Sequence, residues 1–181
     1  MGGFVKLSEV EREIEQPILI PIAEDIFYDD GVSFDAKNDN GLTPLHIALN
    51  NKRFKIVEWL LRHGVADVNA KKNDGWTPLH SAVYYNSKET AKLLIENGAD
   101  VNSRKHNEET PLIIAARAES YGVAKLLLDN GAHVNATSSG GEYSGYTAVD
   151  WAWKNQDFKM LLLLSKRKTC PMCGQRIGGK R

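Results

Sequence analysis

Two cysteines, five histidines and 23 carboxylate side chains are the groups in this 181-residue chain that could hold a metal, move a proton or attack a substrate. Cys170 and Cys173, spaced Cys-x-x-Cys, set two thiolates where one ion can take both. A structural zinc needs four ligands, and these are the only cysteines, so the pair is half a site. A second copy, a partner or a histidine folded back could complete it; a redox pair or an inert tail are the alternatives. His46 and His80 occupy one position in a recurring segment, while His63, His106 and His133 lie at a helix end or in loops without zinc spacing. No Gly-x-Ser-x-Gly, readable carboxylate pair or phosphate-cradling loop is present. Gly174, Gly179 and Lys180 mimic a phosphate loop, but Arg181 stands where Ser or Thr is required. The chain is therefore expected to be no enzyme, to take no small-molecule substrate and to need no cofactor, with zinc at Cys170 and Cys173 as the alternative.

The elements that position these residues repeat. Gly41-Leu-Thr43-Pro44-Leu45-His46-Ile-Ala48 and Gly75-Trp-Thr77-Pro78-Leu79-His80-Ser-Ala82 are near copies. Glu109-Thr110-Pro111-Leu112 opens a third and Gly145-Tyr-Thr147-Ala148-Val149-Asp150 a worn fourth. The threonines advance by 34, 33 and 37 residues, the last step lengthened by the Ser/Gly-rich loop at 137–144. Gly98-Ala-Asp-Val-Asn102 and Gly131-Ala-His-Val-Asn135 recur in phase, and Gly64 to Asn69 repeats them with one extra residue. The threonine hydroxyl can accept from a free amide at a helix start, and proline fits the first helical position because its missing N–H costs nothing there. A second helix follows in each copy, with apolar residues at helical spacing such as Phe54, Ile56, Val57, Leu60 and Leu61. Gly64, Gly98 and Gly131 fall where a left-handed residue closes it, and Asp74-Gly75 marks a turn between successive pairs.

These segments resemble the ankyrin repeat, with its period of about 33 residues and its Thr-Pro-Leu-His-x-Ala signature. The resemblance covers roughly residues 8 to 165. It implies an all-α solenoid of antiparallel helix pairs joined by protruding β-turn or hairpin loops. The expected divisions are a degenerate acidic opening repeat at 1–36, repeats at 37–69, 70–102, 103–135 and 136–165, and a basic tail at 166–181. It further implies that His46 and His80 tie adjacent loops by hydrogen bonds, and that loop tips and inner helices line a concave groove for another protein. Counted from each threonine, the groove positions that packing leaves free are Asn40 and Leu42 with Asn50 and Asn51, then Asp74 and Trp76 with Tyr84 and Tyr85. The third repeat offers Asn107 and Glu109 with Arg117 and Ala118, and the fourth Tyr146 with Lys154 and Asn155. Trp76, Tyr84 and Tyr85 stand out, because Trp and Tyr bury large area at small entropic cost. A further implication is that Asn69, Asn102 or Asn135 is a hydroxylation substrate.

Lys and Arg balance Asp and Glu at 23 each, so no global field favours nucleic acid or an anionic membrane. The ends differ: residues 1–35 hold nine acidic and two basic side chains, residues 159–181 seven basic and no acidic one. No apolar run is long enough to cross a bilayer, and a cytoplasmic location is expected, with nuclear as the alternative. The tail Lys166-Arg167-Lys168-Thr-Cys170-Pro-Met-Cys173-Gly174 resembles one knuckle of a zinc ribbon. A zinc-linked or nucleic-acid-associated adaptor acting through this tail is the alternative to a protein-binding groove, although the tail lacks aromatics for stacking on bases.

Overall fold

The computed structural model describes residues 34–166, and these form eight α-helices in four pairs, with no strand among the described residues. They are α1 (Pro44–Asn50) and α2 (Phe54–Arg62), α3 (Pro78–Tyr84) and α4 (Lys88–Glu96), α5 (Pro111–Arg117) and α6 (Tyr121–Asp129), and α7 (Ala148–Lys154) and α8 (Phe158–Ser165). The opening repeat at 1–36 and the tail at 166–181 lie outside the described residues apart from their inner margins.

Each first helix begins at its threonine. Thr43, Thr77, Thr110 and Thr147 are N-caps in extended backbone, and proline follows the first three. Seven residues on, each first helix closes in one way. The Arg53 amide donates to the Ala48 carbonyl (2.8 Å) and the Lys52 amide to Leu49 (3.1 Å), the paired bonds of a Schellman motif. Lys52, Asn86, Glu119 and Gln156 hold the left-handed position, with φ between 51° and 57°. No glycine marks these turns in the sequence. The second helices close on Gly64, Gly98 and Gly131, all at positive φ, as their places in the repeat predict.

Two layers result. First helices pack in series, α1 on α3 on α5 on α7, and each also rests on its own second helix. Being covered on several sides, they are buried almost entirely: every residue of α5 from Pro111 to Ala116 is inside. Second helices bury one stripe only, as Val57, Leu60 and Leu61 do in α2 and Val123, Ala124, Leu127 and Leu128 in α6. Each fully buried Leu or Ile in this double layer stabilises the fold by roughly 1.5–3 kcal/mol.

The joining loops are closed turns rather than paired strands. The backbone amide of Lys72 donates to the Trp76 carbonyl (2.9 Å), that of Lys105 to the Glu109 carbonyl (3.2 Å) and that of Ser138 to the Tyr146 carbonyl (2.9 Å). Successive turns lie side by side, each linked to the next by one backbone bond: Asn73 to Asn40 (3.3 Å), His106 to Asp74 (3.2 Å) and Ser139 to Asn107 (2.7 Å). Gly75 is required twice over in this stack. Its φ is 84°, and a Cβ there would lie 2.8 Å from the His106 amide nitrogen.

At the far end of the described residues the last helix pair presents apolar side chains. Trp153 matches Leu49, Val83 and Ala116 in register, all of which the following repeat buries, yet it is 63% exposed.

Candidate functional site

The residues with interaction chemistry run from the turns to the C-terminal ends of the first helices. Trp76, on the turn before α3, packs edge-on against Tyr84 at the end of that helix, with ring centroids 5.7 Å apart. Tyr84 in turn meets Tyr85 at 5.4 Å. The two tyrosines are exposed (57% and 41%), whereas Trp76 is half-buried and packed on the core. Two ammonium groups lie over its indole, Lys72 at 5.2 Å and Lys105 at 4.8 Å from the ring centroid. Lys52 from the preceding repeat approaches the Tyr85 ring at 5.9 Å.

The face continues into the third and fourth repeats. Arg117 lies 5.6 Å from the Trp151 ring, and Lys154 lies 3.7 Å from Tyr143 and 5.1 Å from Trp151. The side-chain Nδ2 of Asn155 donates to the Arg117 carbonyl (3.1 Å), fastening α7 to the end of α5. A cleft of about 340 Å3 adjoins the tyrosines; Leu49 and Ala82 line it with Lys52, Phe54 and Tyr85 among others.

Glu109 corrects the expectation that its position is free for a partner. It is 4% exposed, and its carboxylate takes the Lys105 ammonium at 2.7 Å and the Arg117 guanidinium on its other oxygen. Burial by itself raises the Glu109 pKa, but the Lys105 hydrogen bond and the Arg117 charge outweigh it and hold the carboxyl below its ordinary value. Its role is to fix two cations in place. Leu42 and Tyr146 are also half-buried, Leu42 on the core and Tyr146 against Tyr143 (5.3 Å) and Trp151 (5.7 Å). Asn40 and Asn107 serve the turns: each carbonyl accepts from the next turn, and the Asn107 side chain accepts from the Glu109 amide (3.4 Å). The Asp74 carboxylate is 56% exposed and bonds the Trp76 amide (3.0 Å) and Lys72 (3.6 Å). Lys72, Lys105, Tyr143 and Trp151 were missing from the expected surface. Lys72 and Lys105 share one register position, five residues before a threonine, and that equivalence was open to reading.

His46 and His80 take the structural role that the repeat resemblance implies. The Thr43 amide donates to His46 Nδ1 (3.4 Å), so Nε2 carries the proton and donates to the Trp76 carbonyl of the next repeat (3.3 Å). His80 repeats this between Thr77 (3.2 Å) and the Glu109 carbonyl (3.3 Å). Burial lowers both pKa values to about 4. Asn69 and Asn102 also bridge repeats: their side-chain oxygens accept from the Asp100 and His133 amides, both at 2.8 Å. His63, His106 and His133 are exposed, and among the described residues no group of three or more His, Cys, Asp or Glu could hold a metal. The candidate zinc ligands Cys170 and Cys173 lie outside the described residues. No helix among the described residues is long and apolar enough to cross a membrane.

Comparison with protein families gives two matches. A family model described as ankyrin repeats in three copies covers residues 19–105, and one described as ankyrin repeats in many copies covers residues 94–150. No curated protein matches the chain.

Proposed function

Because the chain belongs to the ankyrin-repeat family, whose members are generally protein–protein interaction modules and typically not enzymes, we propose that it is an adaptor binding one partner protein across the face shared by its turns and first helices. The observation that carries this reading is the exposure of Tyr84 and Tyr85 beside Trp76. Two tyrosines at the C-terminal end of a buried helix bring large amphipathic area to a surface already held rigid by packing, so a partner covers them without ordering them first. No arrangement of nucleophile, base and oxyanion donors accompanies them among the described residues, and the buried histidines are committed to bonds between repeats.

The test is Tyr84→Ala with Tyr85→Ala. Both side chains are exposed, so the thermal midpoint should stay within a few degrees of wild type while affinity capture from the native cell loses the partner. Capture unchanged in the variant would refute the reading. Trp76→Ala is a poorer probe, because Trp76 packs on the core and its loss would weaken fold and binding together.

A further inference from the structure

Charge decides what a partner on this face must carry. Across residues 34–166, 16 Lys and Arg side chains stand against 15 Asp and Glu, a near balance. The binding face departs from it. Lys52, Lys72, Lys105, Arg117 and Lys154 all lie over its aromatic rings. Three carboxylates answer them: Asp74 beside Lys72, the single Glu109 shared by Lys105 and Arg117, and Glu89, which lines the cleft beside Lys52 and Tyr85. Five cations against three anions leave a local positive excess between low-dielectric ring surfaces, where counter-charges are drawn most strongly. The cleft between Leu49 and Tyr85 opens at the Lys52 end of the same row, and its 340 Å3 is enough for an apolar side chain.

We propose that the partner presents an acidic peptide segment, which seats one apolar or aromatic side chain in the Leu49–Tyr85 cleft and runs its carboxylates past the cation row toward Arg117 and Lys154. This rests on the groove reading above and adds the chemistry of the occupant. A single-stranded nucleic acid is also anionic, but it needs open ring faces for its bases. Here ammonium groups lie over the Trp76 ring and Trp151 is only 6% exposed.

A display library of random 12-residue peptides, selected on the purified chain with the Tyr84→Ala/Tyr85→Ala variant as counter-selection, tests both levels. The expected binders need the tyrosines, are enriched in Asp and Glu around one apolar residue, and weaken about tenfold on the Lys52→Gln/Lys154→Gln chain and more in high salt. Both lysines are exposed, so that variant should keep its fold. Binders that need the tyrosines but are neutral or basic would overturn the charge inference and leave the groove standing. The absence of any tyrosine-dependent binder would overturn both. Displacement of the selected peptide by a 12-residue uridine oligomer at lower concentration would assign the face to nucleic acid instead.

Discussion

At the scale of single residues, His46 and His80 show how one side chain serves two elements. Nδ1 accepts at its own helix start and Nε2–H donates to the next repeat, an arrangement open only to the neutral ring. The folded chain keeps both rings neutral down to about pH 4, whereas the unfolded chain protonates them near 6.5. Between those values the unfolded state binds more protons, so stability is full above pH 6.5 and falls as pH drops toward 4. The loss amounts to about 3 kcal/mol per ring. Urea midpoints measured from pH 7.5 to 4 should decline through this window, and less steeply in His80→Gln, whose amide can accept and donate without titrating. Equal slopes would show that the carboxylates, not these rings, control the acid response. Their structural part was legible because the two histidines recur at one repeat position. Glu109 was not: nothing in its neighbours along the chain announces that Lys105 and, eight residues on, Arg117 close over it.

At the scale of elements, helix starts were more legible than helix ends. Thr-Pro states a helix start in two residues, and all four threonines are N-caps in extended backbone: the Thr110 and Thr147 hydroxyls accept from the Ile113 and Asp150 amides, while those of Thr43 and Thr77 pair with His46 and His80 Nδ1. The ends of the first helices carry no such signal, because Lys52, Asn86, Glu119 and Gln156 occupy a left-handed position that glycine usually takes. What holds them there is the pair of Schellman bonds and the second helix beginning at once behind them. Glu119→Gly should therefore stabilise the fold by about 0.5 kcal/mol, the relieved strain exceeding the added backbone entropy. Gly75→Ala should do the reverse by about 3 kcal/mol, since it combines a disfavoured φ with a collision against the neighbouring turn. Denaturant melts of the two variants beside wild type check both signs; a neutral Gly75→Ala would mean that the turns shift apart easily.

At the scale of the whole molecule, equivalent positions acquire different meanings according to what stands next to them. Val83 and Trp153 hold the same place in their repeats, yet Val83 is fully buried and Trp153 largely exposed. Val83→Lys should cost several kcal/mol by burying an unpaired charge, while Trp153→Lys should stay within about 1 kcal/mol of wild type. Thermal unfolding of both variants measures the difference, and a large loss at Trp153 would mean that something covers the end of the stack in solution. The same dependence on neighbours explains Asp150, which stands where earlier repeats have His46 and His80. Its carboxylate caps its own helix by accepting from the Thr147 amide (2.8 Å), and no following repeat among the described residues asks for a donor.

The sequence by itself determined the architecture, because period, caps and closing glycines are local signals repeated until coincidence is excluded, and the match to ankyrin-repeat families over residues 19–150 agrees with it. It also pointed to Tyr84 and Tyr85, whose register put them on the face that packing leaves free. Only the tertiary structure decided which groove residues are available. Burial withdrew Glu109 and part of Trp76, and stacking brought Lys72, Lys105, Arg117 and Lys154 over rings contributed by different parts of the chain. The physical reason is that helix signals act within a few residues, whereas the charge and exposure of a face are sums over side chains about thirty residues apart, fixed only once the repeats stack.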